Sequence, residues 1–302
     1  MFLRSILAWL SCLLVGVAAC AADKHGTTYA TPQAAQADPD FAIQGEYTGD
    51  NVGVQVIALG KHQFRAVKFH GGLPGAGWDG SEKTIAEGTW DDVKANVEGL
   101  KRIERRSPTL EAKPAEGAIV LFDGTQPTFE QHWSKNSKMT DDGLLQQGAT
   151  STDTFNDFSL HFEFRLPYLP EARGQGRGNS GLYLQGRYEV QLLDSFGLKG
   201  ADNECGGIYQ AAAPSINMCL PPLVWQTYDI DFTAAKFDDA GKKISNAIAT
   251  VKHNGVVIHD KLEIPRGTPG GTINSESATP GPFFLQNHGN PVVYRNIWVV
   301  KR

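Results

Sequence analysis

Cysteine is scarce, with four residues in a chain of 302, too few for a scaffold held together by disulfides. No C-x-x-C or H-E-x-x-H spacing marks a zinc site either. Clustered positive charge is also missing. The net charge is −5, and the strongest basic run, Lys101-Arg102-Ile103-Glu104-Arg105-Arg106, is interrupted by a glutamate, which suits a solvated linker and not a phosphate-binding patch. Nucleic acid is thereby excluded as a partner. After the first 20 residues no apolar run approaches the roughly 20 that a spanning helix needs, so membrane contact is confined to the N-terminus. Long amphipathic helical patterns are absent as well.

The N-terminus has Arg4, an apolar stretch from Ile6 to Val17 and the sequence Val17-Ala18-Ala19-Cys20. This reads as an export signal over residues 1–20, and the expectation is a periplasmic, outer-membrane or secreted protein. Val-Ala-Ala-Cys also fits a lipobox with Cys20 as the lipidated residue, while Ala18 and Ala22 offer sites for ordinary cleavage. With Cys12 inside the signal and Cys20 accounted for by lipid, Cys205 and Cys219 remain as mutual partners. A disulfide between them would close a loop of about 15 residues and stabilise by about 3 kcal/mol on the chain-entropy estimate.

Residues 21–40 are rich in Ala, Thr, Gln, Asp and Pro without periodicity, and read as a flexible tether. A small β-rich unit follows over 41–110, in which Val52 to Leu59 and Gln63 to Phe69 alternate as two strands of a hairpin turning at Gly60-Lys61-His62. The glycine-rich loop 71–80 holds Trp78, which plugs the core under the loop or stacks on a sugar. A linker through Lys113-Pro114-Ala115-Glu116-Gly117 leads into a second domain over 117–302. There, strand patterns recur at Phe158 to Leu166, Gly181 to Leu193, Thr227 to Phe232, Ala247 to His253, Val256 to Leu262, Phe283 to Gln286 and Val292 to Val300. With 33 glycines and 16 prolines to turn the chain, this predicts an all-β fold, a sandwich or jelly roll. His253-Asn254-Gly255 is its clearest hairpin turn, since Asn-Gly accepts the positive φ values required.

The candidate site lies in Tyr188-Glu189-Val190-Gln191-Leu192-Leu193-Asp194. On a regular strand Glu189 and Gln191 share a face and Asp194 falls on the other. A β-bulge after Gln191 would bring all three together. Two carboxylates flanking an amide suit acid/base chemistry on a sugar, and the strand locally resembles the E-x-D-x-x-E bulge of family-16 glycoside hydrolases. The bland alternative is a solvated edge strand. In Leu160 to Leu166 the apolar residues occupy one face and leave His161, Glu163 and Arg165 on the other, where Glu163 and Arg165 would line a groove beside Glu189. Asn179, in Gly178-Asn179-Ser180-Gly181, offers both donor and acceptor to a ligand. His288, between Asn287 and Gly289 after an apolar strand, is the best-placed histidine for a cleft rim.

Several motifs in order resemble the 3-keto-disaccharide hydrolase family: Leu121-Phe122-Asp123-Gly124, Glu163-Phe164-Arg165, Gly178-Asn179-Ser180-Gly181, Tyr188 to Asp194, Gly207-Ile208-Tyr209, His253-Asn254-Gly255 and Leu285-Gln286-Asn287-His288-Gly289, closing on Arg295-Asn296-Ile297. The resemblance covers about residues 117–302. It implies a concanavalin-like jelly roll that takes a carbohydrate, a 3-keto-glycoside, in a bacterial envelope. A ketone at C3 acidifies the C2 proton, so elimination and hydration give net hydrolysis. Glu189 is then the base and Asp194 the acid, with His288 as alternative base. Arg165, Arg187, Asn179 or a divalent cation would stabilise the enolate, and Gln191, Glu163, Tyr209 and Gln286 would complete the substrate contacts. Two other classes fit the same residues: a non-catalytic sugar-binding jelly roll using Tyr183, Tyr209 and Trp225, and a family-16-like retaining β-glucanase.

Overall fold

A computed structural model describes residues 26–302. The signal-like segment 1–20, with Cys20, lies outside the described residues. Among those described, no helix is long and apolar enough to cross a membrane.

Two antiparallel sheets face each other, as the strand patterns predict. One has the order Tyr188–Leu193, Asn179–Leu184, Gly281–Leu285, Thr150–Phe155; the other runs Val256–Ile264, Ala247–His253, Trp225–Thr233, Phe158–Arg165, Val293–Lys301, Ile119–Phe122. Period-2 alternation turns Leu182, Val190 and Leu192 of the first sheet and Phe158, Leu160, Phe162 and Phe164 of the second into one buried core. Phe158 stacks on Phe232 at 5.1 Å and meets Phe283 of the opposite sheet edge-on at 5.0 Å. Each fully buried side chain of this kind contributes about 1.5–3 kcal/mol. The Asn-Gly turn forms as expected: His253 pairs with Val256, and Asn254 and Gly255 take φ of 49° and 80°.

Two strand expectations need correction. Gly181 to Leu193 is not one strand but a hairpin, because Gln185 and Gly186 adopt positive φ and return the chain so that Leu184 pairs with Tyr188. The second arm carries no bulge. Its register runs unbroken from Leu184↔Tyr188 to Asn179↔Leu193, so plain alternation holds and Asp194 falls opposite Glu189.

The N-terminal region forms a five-stranded sheet in the order Thr84–Thr89, Gln63–His70, Val52–Ala58, Gly45–Gly49, Lys101–Ile103. The expected hairpin at Gly60-Lys61-His62 is present. Val54, Val56, Ala58, Phe64 and Ala66 on one face pack with Ala35, Val93 and Val97, whereas Ile57, Val67 and Phe69 on the other belong to the sandwich core. Trp78 packs edge-on against Phe69 at 5.4 Å, which is the plug and not the sugar platform.

From residue 26 onward the expected tether is ordered. Tyr29 bridges Tyr168, and short helices span Pro32–Ala35 and Pro39–Ile43. Thr31 and Asp38 cap these helices through their side chains, each followed by proline at the first helical position. The supposed linker at 101–106 is structured too: Lys101–Ile103 is a sheet edge, and half-buried Arg105 pairs with the buried Glu46 carboxylate at 2.6 Å.

Candidate active site

A cleft of about 310 Å³ opens on the face of the four-stranded sheet turned away from the core. Glu189 and Gln191 project into it from one strand, and Tyr183 stands opposite Glu189 on the next. Gly181 lies opposite Gln191, and its missing side chain makes room for the carboxylate: a Cβ there would sit 2.1 Å from Glu189 Oε1. Along the outer edge, residues 206–209 act as an irregular extra strand, with Gly206 N donating to Gln191 O, Gln191 N to Gly207 O and Tyr209 N to Glu189 O. This brings Tyr209 to the cleft. On the other side Gln286 N donates to Gly181 O at 2.9 Å, and exposed His288 follows at the rim. Pro269 and Gly270, from the loop between Ile264 and Gly281, form the last wall.

Glu189 is 2% exposed. Burial pushes its pKa up to about 7, against the opposing pull of the Tyr183 hydroxyl, which donates to Oε2 at 2.7 Å. The orientation of the Gln191 amide that satisfies its neighbours places Nε2 3.0 Å from Glu189 Oε1 and 2.8 Å from Ser180 O. Asn179 donates through Nδ2 to Gln175 O and Oε1, which leaves its buried Oδ1 without a partner. The free atom is an acceptor. Asn179 therefore suits a ligand hydroxyl, not the enolate oxygen expected from sequence.

Six expected residues meet in this cleft: Glu189, Gln191, Asn179, Tyr209, Gln286 and His288. The others do not. Asp194 is fully buried beyond the strand end, ion-paired with Arg177 at 2.7 Å; burial pushes its pKa up, and Arg177 opposes this. It does not line the cleft, so the paired-carboxylate arrangement loses its acid. Glu163 belongs to the other sheet, where it accepts from Arg295, Asn296 and the Glu111 amide and fastens the 105–118 segment. Burial pushes its pKa up, but hydrogen bonds from His161, Asn296, Glu111 and Arg295 together hold it at about 2. Arg165, in the same sheet, stacks over Trp225 at 5.0 Å. Arg187 donates to Ser275 O at 2.9 Å and Ser277 Oγ at 3.1 Å, so it holds the 265–280 loop and not a ligand. Cys205 and Cys219 are buried free thiols, not a disulfide.

Gln175, Gln210, Pro269 and Gly270 line the cleft without having been singled out. Gln175 sits in a single 3-10 turn and the others on loops, where no periodicity points a side chain anywhere. Tyr183 had a readable signal, since recognising the turn at 185–187 pairs it with Glu189. Among the described residues no three His, Cys, Asp or Glu side chains converge; the cleft offers one carboxylate, one imidazole and the side-chain amides of Gln175, Asn179, Gln191, Gln210 and Gln286, whose oxygens a hard cation also accepts.

Fold and site together define a β-sandwich with a single buried carboxylate in an amide-lined cleft. Residues 117–300 match the 3-keto-alpha-glucoside-1,2-lyase-like domain, and the chain belongs to that family. Two solved structures from Parabacteroides distasonis, each described as a "putative glycosyl hydrolase", are similar to it. One is 32% identical over 62% of this chain and 84% of its own, with a TM-score of 0.55. The other is 18% identical over 62% and 94%, with a TM-score of 0.44. Among curated proteins none matches.

Proposed function

We propose that this protein is a carbohydrate-active enzyme that cleaves 3-keto-glycosides by elimination across C1 and C2, followed by hydration. The observation that carries this reading is Glu189, a buried carboxyl held near pKa 7 and the one acidic side chain lining the cleft. A group so poised both takes and returns a proton at neutral pH.

In the proposed cycle Glu189 removes the C2 proton, and the C–H electron pair becomes the C2=C3 bond of an enolate. The amides of Gln210 and Gln286 face the charged C3 oxygen, while Asn179 Oδ1 accepts from a ring hydroxyl. As the ketone re-forms, C1=C2 forms and the C1–O bond breaks, its electron pair leaving with the aglycone oxygen, which is protonated by His288. Water then adds its hydroxyl to C1 while its proton restores His288, and Glu189, its acid proton having exchanged with solvent, protonates C2. A retaining glucanase needs a second carboxylate as acid/base partner, and Asp194 lies outside the cleft. The signal-like N-terminus supports a site of action outside the cytoplasm.

The test is incubation of the purified protein with native and 3-oxidised disaccharides in deuterated water. The expected result is release of the aglycone from the oxidised sugar only, with deuterium at C2 of the product beyond spontaneous exchange, and loss of release with retained binding in Glu189→Gln. Equal cleavage of the native sugar without C2 label would establish the glucanase. Sugar binding without turnover, unaffected by Glu189→Gln, would establish a binding module.

A further inference from the structure

The Tyr183 hydroxyl has one proton and two acceptors. Its oxygen lies 2.7 Å from Glu189 Oε2 and 2.7 Å from the Pro269 carbonyl oxygen, and Gln286 Nε2 approaches it at 3.3 Å. A carbonyl only accepts, so that proton cannot serve both neighbours at once. The oxygen itself is held in place. Tyr183 is completely buried, and Gly270, at φ 88°, closes its backbone over the hydroxyl so tightly that a Cβ would sit 2.6 Å from it. Only the proton is free to change direction.

We infer that Tyr183 is a positioning residue whose hydroxyl proton turns between Glu189 and Pro269, giving the carboxyl a matched partner in each of its protonation states. This rests on the reading of Glu189 as the proton-transfer group. When Glu189 is ionised, Tyr183 donates to Oε2 in a charge-assisted bond. When Glu189 has taken a proton, the acid donates through Oε2 to the Tyr183 oxygen, and the hydroxyl proton turns to Pro269 O. No proton is gained or lost by Tyr183 in the exchange. Its own ionisation is suppressed, since burial and the neighbouring carboxylate push its pKa up. Glu189 thus keeps one fixed geometry whether it receives a proton or gives one back, which a cycle of removal and return at C2 requires. The second consequence concerns the loop: Pro269 is held by Tyr183 only while Glu189 carries the proton, so the cleft wall is tied more firmly during the interval when the intermediate is present.

The other groups facing Glu189 are the Tyr209 phenol from the 206–209 segment, the His288 imidazole from the rim and the neutral amides of Gln191 and Gln286. Of these His288 is the other acid/base group of the proposed cycle, so the test reads the carboxyl directly. Infrared difference spectra of the full-length protein across pH would follow the protonated carbonyl stretch of Glu189, assigned by its absence in Glu189→Gln. In Tyr183→Phe the ionised form loses its donor, and the midpoint should move up by about one pH unit. Incorporation of 3-fluorotyrosine at position 183, a stronger donor, should move it down, and His288→Gln should leave it in place. The acid limb of kcat/KM on a 3-keto-disaccharide should follow the same shifts with little change in KM. A midpoint indifferent to both Tyr183 replacements, or one that moves down in Tyr183→Phe, overturns the inference. Should the protein turn over no 3-keto-sugar while the infrared midpoint shifts as stated, the proposed reaction falls and the role of Tyr183 stands.

Discussion

At the scale of the residue, two carboxylates five positions apart have opposite roles because one strand turns them to opposite faces. Glu189 is desolvated without a cation, and this has a thermodynamic signature. Its pKa is raised from the usual 4.5 to about 7 on folding, so stability is lost as pH rises from 4.5 through 7, by about 3 kcal/mol in full. Glu189→Gln should therefore be more stable than the parent at pH 8, with the two converging near pH 4.5, as urea denaturation across that range would show. Asp194 is desolvated with Arg177 beside it. Asp194→Asn strands the guanidinium and should cost about 3–5 kcal/mol, read as a fall in Tm, while the folded fraction keeps its turnover number. Simple alternation in the sequence already separated these residues. It was the analogy with a bulged strand that put Asp194 in the site, and the unbroken register shows why that step fails. Glu163 and Arg165 were misplaced for a different reason. Alternation reveals that they face away from the core, but not which sheet they stand on.

At the scale of the element, the hairpin Asn179–Leu184/Tyr188–Leu193 is the platform, and Arg187 at its turn fastens the loop that walls the cleft. Arg187 Nε and Nη2 hold Ser275 and Ser277, and Thr268 N donates to the Arg187 carbonyl. Arg187→Ala removes the side-chain contacts and keeps the backbone one, so Pro269 and Gly270 should be held less firmly. The expected outcome is a rise in KM of about tenfold, corresponding to lost hydrogen bonds from a charged donor, with kcat reduced less. Steady-state kinetics on the 3-keto-disaccharide separate the two. This loop was illegible beforehand because Pro265 to Pro280 has no periodicity, and its position follows from tertiary hydrogen bonds alone. The strands were legible from period-2 patterning, and the Asn254-Gly255 turn from its dipeptide. The Gln185-Gly186 turn passed unnoticed, since Leu184 and Tyr188 on either side keep the hydrophobic pattern nearly continuous.

At the scale of the whole molecule, the N-terminal sheet is part of the sandwich core and not an appended unit. Ile57 and Val67 approach Gly197 so closely that a Cβ there would sit 2.3 Å from Ile57 Cδ1. A chain reduced to 117–302 would uncover the apolar surface that Ile57, Val67 and Phe69 cover. It should unfold at a Tm at least several degrees lower and bind a hydrophobic dye, whereas the full protein should not. The ordering of residues 26–43 escaped sequence reading because helices of four and five residues leave no period to detect, although Thr31-Pro32 and Asp38-Pro39 are helix-start signals in retrospect. The segment at 206–209 also has a consequence for the protein in company. Tyr188–Leu193 is the last strand of its sheet, and an open strand edge recruits strands from neighbouring molecules. Gly206, Gly207 and Tyr209 already occupy the backbone donor and acceptor of Gln191 and the acceptor of Glu189, whose N–H donates to Thr268 Oγ1. The strand that carries the proposed catalytic carboxyl is thereby closed to aggregation, and the protein can be crowded without its active edge becoming a template.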